Sequence, residues 1–232
     1  MKNSLNPTQV LTQTTLNFLT ELNLNNSREW LGKNKAVYEK AKEDILVLTE
    51  ELIAEISTFD KTISKAYLDP KKCVTRLNRD LRFTKFKIPY KTDFYIVLSK
   101  NGKNSSSAFY FLHIEPGNCF VGGGVYNPQP QELRKIRQAI NFDYPKWTSL
   151  IEDEKFQKTF PSGIHNSGVL KKVPKEFNEE NKASEFLKMK GFFAMEKITD
   201  KEITQKDTFQ KINFHFKTSK PLVDFLNAAI EK

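Results

Sequence analysis

Cysteine is scarce in this chain, where Cys73 and Cys119 are the only two among 232 residues. Two cysteines cannot build a disulfide-rich scaffold, and neither has other ligand-type residues at the spacing of a metal site. We interpret both as small apolar residues within strands, which is how free cysteines usually pack. The sequence therefore predicts no disulfide framework, no metal and no cofactor.

Long apolar runs are also missing. No window approaches the roughly eighteen apolar residues of a membrane span, and residues 1–7 lack the apolar core of a signal peptide. No repeat, low-complexity tract or linker rich in Gly, Ser or Pro divides the chain. These absences predict one cytoplasmic domain over residues 1–232, without a membrane partner.

The chain has enough apolar material for a core, since 38% of its residues are hydrophobic and 19 are Phe. This composition excludes a disordered protein. Apolar residues recur at helical spacing over residues 8–23 and from Arg28 to Ser57, so helices are expected within about residues 8–57. Asn26 and Glu29 have the spacing of a capping box for the second helix. Asn34 lies on the apolar stripe, where we expect its side chain to bind a neighbouring backbone group.

The middle of the chain changes to a period of two, which is typical of strands. Two turns, Lys100–Asn104 and Pro116–Asn118, separate the last three apolar segments and predict an antiparallel meander over about residues 92–126. The predicted strands are residues 73–79, 92–99, 107–115 and 119–126.

The last part of the chain, about residues 130–231, is expected to be mainly helical. Pro221 is placed at the first turn of the final helix, and residues 161–180 are expected to be irregular. A sheet in the middle with helices at both ends predicts an α+β single domain. The predicted elements are helices at 131–140, 145–152, 155–160, 183–188, 207–216 and 221–230, and a strand at 192–195.

Positive charge is concentrated in one part of the chain. Residues 65–103 hold eleven Lys and Arg against three Asp, a local charge of +8 in a protein of +9. The basic stretch, residues 76–91, places six cations and one carboxylate in sixteen residues, with aromatic residues between them. Such a localised charge indicates an anionic partner.

Guanidinium groups suit two-point capture of a phosphate or carboxylate. Asp80 could instead orient its neighbours Arg79 and Arg82, and the stretch could simply brace a loop against the sheet, as a structural charge network with no site. The candidate anion-binding residues are Arg76, Arg79, Arg82, Lys85, Lys87 and Lys91.

His113 and Glu115 alternate with apolar neighbours, so both are expected on one face of a strand. A carboxylate beside an imidazole raises the pKa of the imidazole, and such a pair could transfer protons or form a structural hydrogen bond. His165 and His215 are distant in sequence, which leaves no third metal ligand.

Gly122, Gly123 and Gly124 lie inside a predicted strand and do not have the pattern of a phosphate-binding loop. Register across the turn at residues 116–118 predicts that they lie opposite residues 109–112. They could form the floor of a pocket, or they could make room for the aromatic rings of residues 109–111.

Four segments carry a family resemblance: residues 26–38, residues 76–91, residues 113–126, and residues 187–192. Together they resemble the uncharacterised bacterial and fungal family called domain of unknown function 2461, over about residues 16–228. The most specific segment begins at Arg79-Asp80 and ends at Pro89-Tyr90-Lys91, with Phe86 where the family typically has Asp. The resemblance implies a single domain and brings no activity, cofactor or catalytic residue with it.

The leading hypothesis is a protein that binds an anionic, phosphate- or carboxylate-bearing small molecule in a cleft beside the sheet. Trp30 and Tyr90 would supply aromatic walls. Two alternatives stay open beside the charge network: nucleic-acid binding without catalysis, and an enzyme that uses His113 and Glu115 as an acid–base pair. A small anion is favoured over nucleic acid as the partner. The residues expected to line the pocket are Trp30, Asn34, Asp80, Tyr90, Gly122, Gly123 and Gly124.

Overall fold

The computed structural model of the chain describes residues 11–82, 88–103 and 106–231, and within them four antiparallel strands form one sheet, in which each strand lies beside the next one along the chain. The predicted meander is confirmed, and the predicted strand at 192–195 is the start of the fourth strand. The strands are β1 (Phe94–Leu98), β2 (Phe109–Ile114), β3 (Cys119–Val125) and β4 (Phe192–Ile198).

Strand register confirms the predicted position of the three glycines. Phe109 lies opposite Gly124, Tyr110 opposite Gly123, and Phe111 opposite Gly122. The turn between β2 and β3 also forms as predicted, with Gly117 at a φ of 76° and the amide of Asn118 bonded to the Glu115 carbonyl.

The N-terminal helices include one correction. The helix expected over residues 28–57 is broken at Asn34, whose backbone leaves the helical region at φ −105° and ψ 21°. The Asn34 side chain donates to the Trp30 carbonyl, as a backbone-binding Asn was expected to do, and this bond competes with a continuous helix. The helices are α1 (Gln13–Leu24), α2 (Arg28–Lys33), α3 (Lys35–Phe59), α4 (Lys61–Ala66) and α5 (Pro70–Cys73).

The predicted capping box is not formed by Asn26. Ser27 caps α2 by accepting a hydrogen bond from the Trp30 amide. The Asn26 amide is instead bound at both ends to the backbone of Tyr90, 64 residues away, with two bonds of 3.1 Å. A side chain that was expected to act locally therefore connects the helical layer to the approach to β1.

The strand predicted at residues 73–79 is also a correction. Asp69 and Pro70 begin the short helix α5, which takes up Cys73, the first residue of that segment. The residues that follow form isolated bridges alongside β1, Val74 to Ile96 and Asn78 to Tyr90.

The C-terminal region is helical apart from β4 and an irregular segment at residues 160–183. The two helices predicted after residue 207 are one, with Pro221 inside it. Proline removes a helical hydrogen bond, but buried positions continue through Pro221 from Phe216 to Leu226, so packing on the sheet outweighs that loss. The helices are α6 (Pro130–Phe142), α7 (Tyr144–Ile151), α8 (Glu154–Thr159), α9 (Ser184–Lys188), α10 (Asp200–Ile203) and α11 (Thr208–Glu231).

The architecture is an α+β single domain whose sheet packs against N- and C-terminal helices, as predicted. The core lies between one face of the sheet, α3 and α11, where Ile45, Leu52, Leu112, Phe216 and Leu226 are fully buried. No helix in the described part of the chain combines the length and apolar character needed to cross a membrane.

Gly123 sits at the contact between β3 and α11, and a methyl group there should destabilise the fold. An added Cβ would lie 2.6 Å from the Ser219 hydroxyl and 2.9 Å from its Cβ. We expect Gly123→Ala to reduce the free energy of unfolding by about 1–3 kcal/mol, the usual cost of overpacking. Urea denaturation measures this.

Gly32→Ala is the matched control, because nothing lies within 4 Å of its added Cβ and the site is in helix α2. This change should be neutral or stabilise the protein by up to about 1 kcal/mol. Equal stability of the Gly123→Ala variant and the unchanged protein would contradict close packing at this contact.

Candidate functional site

The strongest candidate site is a cavity of about 620 Å³ on the face of the sheet opposite α11. We call it the sheet-face cavity. Its volume lies within the roughly 300–1,000 Å³ of known small-molecule sites. Its aromatic lining is Tyr95, Phe109, Phe111, Phe120, Tyr126 and Phe193, and the other lining residues are Thr75, Lys91, Asp93, Val97, Lys103, His113 and Met195.

Strand alternation explains why these side chains share a face. Tyr95 in β1 pairs with His113 in β2, which pairs in turn with Phe120 in β3. Residues two positions along each strand point the same way, so Val97, Phe109 and Phe111 join them.

Gly122 gives the ring of Phe111 its place on this face. A Cβ at Gly122 would lie 2.8 Å from Cζ of Phe111 and 2.0 Å from the carbonyl oxygen of Ala194. The glycine therefore admits both an aromatic ring across β3 and a close approach by β4. Gly123, by contrast, faces α11, so Gly122 and Gly123 make room for neighbours on opposite faces of the sheet.

The position of His113 is fixed by two contacts. Its Nδ1 lies 2.9 Å from the carbonyl oxygen of Asn118, which can only accept, so Nδ1 carries a hydrogen and donates it. Its ring stacks on Phe120 with centroids 4.4 Å apart. The other nitrogen, Nε2, lies 3.6 Å from Oδ2 of Asp93, which also lines the cavity.

Asp93 and His113 shift each other's pKa. Burial alone would lower the pKa of His113, but Asp93 and the Asn118 carbonyl together outweigh it, and the pKa is raised. Burial would raise the pKa of Asp93, but His113, Lys91 and Arg79 outweigh that effect, and it is lowered. Both shifts favour an imidazolium beside a carboxylate.

Glu115, the expected partner of His113, has other contacts. Its carboxylate accepts from the Thr92 hydroxyl at 3.3 Å and from the Asn118 side-chain amide at 2.9 Å, so it holds the turn after β2. Its charge contributes only the smallest of the effects that raise the pKa of His113. The neighbouring carboxylate is Asp93, which pattern reading missed because it lies twenty residues away, just before the adjoining strand β1.

Two cations of the cavity lack a carboxylate partner. Lys91 and Lys103 both line it, and neither forms an ion pair with any carboxylate among the described residues. The Lys103 ammonium donates to the Val74 carbonyl at 2.6 Å. Burial, followed by repulsion from Arg76, lowers the pKa of Lys103, and Lys91 adds to the repulsion. Positive charge is therefore crowded here.

The three arginines of the basic stretch lie in different environments. Arg82 forms a two-point pair with Asp80, with 2.6 Å between Nη2 and Oδ2. Arg79 donates from Nε to the Tyr90 carbonyl at 2.8 Å. Arg76 lines a separate cavity of about 570 Å³ beside α3. Arg79 and Arg82 are thus engaged in contacts within the chain.

Of the other residues expected to form a pocket, four lie away from the sheet-face cavity. Trp30 packs near Phe18, with ring centroids 6.2 Å apart, and Asn34 marks the break between α2 and α3. Tyr90 is held through its backbone and Asp80 pairs with Arg82. Lys85 and Lys87 lie outside the described residues.

Within the described residues, no group of three or more His, Cys, Asp or Glu side chains could hold a metal ion. Cys73 and Cys119 are both buried and free, and burial raises the pKa of each thiol to about 11. The groups that could bind a ligand in the cavity are therefore its lysines, its Asp–His pair and its aromatic rings.

Comparison with known proteins agrees with the resemblance seen in the sequence. A family model described as a conserved hypothetical protein (DUF2461) matches residues 14–225, so the chain belongs to this family. Searches of curated proteins and of solved structures found no match.

Replacing Asp93 by Asn should lower the pKa of His113, because the main charge that stabilises the imidazolium is removed. An NMR titration of the His113 ring measures this. Glu115→Gln is the matched control and should change the pKa of His113 less. An unchanged titration in Asp93→Asn would show that the two groups are not coupled.

The free energy of unfolding should depend on pH through the same two groups, His113 and Asp93, and urea denaturation at a series of pH values measures this. The pKa of His113 is raised by folding, so its contribution is complete below the unfolded-state pKa and is lost as pH rises through the folded-state value. The pKa of Asp93 is lowered, so its contribution is present above the unfolded-state pKa and is lost as pH falls through the folded-state value.

Proposed function

We propose that this member of the DUF2461 family binds an anionic small molecule in the sheet-face cavity, with Lys91 and Lys103 holding the anionic group. The observation that carries the proposal is the pair of ammonium groups without a described carboxylate partner. Charge-assisted hydrogen bonds to phosphate or carboxylate are about twice as strong as neutral ones.

The overall charge of the cavity supports an anion. Its two lysines outnumber its single carboxylate, Asp93, and His113 adds a further positive charge when protonated. The raised pKa of His113 extends the pH range over which that charge is present. Repulsion between Lys103, Arg76 and Lys91 would be relieved by a bound anion.

The proposed anion site differs in its residues from the one expected from the sequence. Lys91 keeps its assigned role, and Lys103 joins it from the turn after β1. Arg76 contributes its charge at longer range, whereas Arg79 and Arg82 are engaged in contacts within the chain. The Glu115 carboxylate holds the turn after β2, so we assign it no catalytic role. We assign His113 the role of a positive charge.

A small molecule fits better than nucleic acid because Lys91 and Lys103 both line a concave cavity. Binding to a nucleic-acid backbone uses many phosphate contacts spread along a surface. Here Arg79 and Arg82 are engaged in contacts within the chain, and Arg76 lines a separate cavity. We place the protein in the cytoplasm, where its two buried thiols stay reduced.

Inorganic pyrophosphate is the probe for this site, and isothermal titration calorimetry is the measurement. The double variant Lys91→Gln, Lys103→Gln should raise the Kd for pyrophosphate by about tenfold or more, since charged hydrogen bonds contribute about 1.5–3 kcal/mol each. Arg82→Gln should leave the Kd nearly unchanged, because Arg82 pairs with Asp80.

Lys33→Gln is the control for loss of a positive charge, because Lys33 is exposed and pairs with Glu29 on α2. Equal pyrophosphate affinity in the unchanged protein and the double lysine variant would contradict the proposal. A larger loss in Arg82→Gln than in the lysine variant would instead favour an anion site at Arg82.

A further inference from the structure

We propose that the ligand of the sheet-face cavity carries a flat aromatic ring as well as its anionic group. The class is an aryl or heteroaryl carboxylate or phosphate. This inference rests on the proposed function, because the anionic group is placed at Lys91 and Lys103. The aromatic ring is the part of the ligand that would contact the apolar side chains of the cavity.

The aromatic side chains of the cavity are grouped around one ring. The ring of Phe111 is the centre of the group, and the rings of Phe109, Phe120 and Phe193 stand at 65°, 77° and 69° to it. Tyr95 lies nearly parallel to Phe111, at 13° and 6.1 Å. Edges and faces of several rings therefore meet at one place, which suits offset and edge-to-face contacts with another ring.

Part of this aromatic surface is open to a ligand. Tyr126 is 57% exposed, and Tyr95, Phe109 and Phe120 are only half-buried although they lie on the sheet. Exposed apolar surface in a concave site is a common mark of a ligand pocket. Across the sheet, by contrast, Tyr110 is fully buried under α11.

Polar and apolar groups occupy different sides of the cavity. Thr75, Lys91, Asp93 and Lys103 all belong to β1 or to the segments beside it. The side formed by β3 and β4 contributes Phe120, Tyr126, Phe193 and Met195. A ligand with its anionic group toward β1 would therefore place its remaining part against aromatic and thioether side chains.

The Tyr95 hydroxyl gives the ligand a further polar contact. Tyr95 lines the cavity, and its hydroxyl forms no hydrogen bond with any described residue. Burial raises the pKa of this phenol, so it stays protonated and able to donate. A phenol between the lysines that flank β1 and the rings on the side of β3 and β4 would orient a ring that bears an acidic substituent.

The test compares anions that differ only in the attached group. Phenyl phosphate should bind about tenfold more tightly than methyl phosphate, and more tightly than cyclohexyl phosphate, which has a saturated ring of similar size. Benzoate, cyclohexanecarboxylate and acetate repeat the comparison for carboxylates and show which acidic group is preferred. Calorimetry gives the affinities.

Methyl NMR reports where the ring binds. Val97 and Met195 line the cavity, so the ring current of bound phenyl phosphate should shift their methyl signals. The methyl groups of Leu24, which is 73% exposed and lies in α1, provide the reference that should not move.

Variants remove a ring and keep an apolar side chain. Phe120→Leu and Tyr126→Leu should each reduce the preference for phenyl over methyl phosphate several-fold and leave methyl phosphate affinity nearly unchanged. Tyr126 is largely exposed, so its variant is expected to fold even if Phe120→Leu does not. Phe142→Leu is the control, because Phe142 is 87% exposed and lies in α6.

Failure of this inference can be told apart from failure of the proposed function. If methyl and phenyl phosphate bind equally and both depend on Lys91 and Lys103, the aromatic preference is wrong and the anion site stands. If none of the phosphates or carboxylates binds, both proposals are overturned. A phenyl preference that survives both ring variants would also overturn the inference.

Discussion

The close contact of α11 with β3 at Gly123 is the constraint on which the rest of the structure depends. Any side chain at Gly123 would meet Ser219, so the helix can lie directly on the sheet only because the strand has no Cβ there. This contact commits one face to the core, where Tyr110 packs on Phe216. Because strand side chains alternate, the residues between are directed to the other face. The sheet-face cavity is therefore a consequence of how the core is packed.

A second constraint sets the polar side of that cavity. The backbone of Tyr90 is bound on one side by Asn26 and on the other by Arg79, which fixes the chain just before Lys91 and Asp93. The basic stretch thus contains contacts that hold it to the rest of the chain. Arg79 and Arg82 brace the loop through internal contacts, and this bracing positions Lys91 beside the sheet, where a ligand could reach it.

The fold was largely predictable because its strongest signals are local. Alternation, the turn at Gly117 and the run of three glycines were enough to give the meander and its register. The wrong predictions are those in which contacts between distant segments determine the local structure. Pro221 stays inside a helix because that helix is buried along its length, and Asn26 bonds to Tyr90 because the two segments meet only in the folded chain. Residue patterns contain no information on either contact.

The candidate site was harder to predict for a related reason. Sequence reasoning paired His113 with Glu115, two positions along the same strand, whereas a sheet brings together residues from different strands. Asp93 and Lys103 come from opposite ends of β1, so neither forms a motif with His113. The register of Tyr95 with His113 is what brings Asp93 within 3.6 Å of the ring. Pairing β1 with β2 before choosing catalytic partners would have found it.

Holding Lys103 near Arg76 and Lys91 opposes folding, because burial and repulsion both lower the pKa of this lysine. A chain selected for stability alone would place a carboxylate or an apolar side chain there. An anion bound between these cations would offset the repulsion, so it would raise the pKa of Lys103 and stabilise the folded state together. The charge of Lys103 is thus a feature that the stability of the fold does not require.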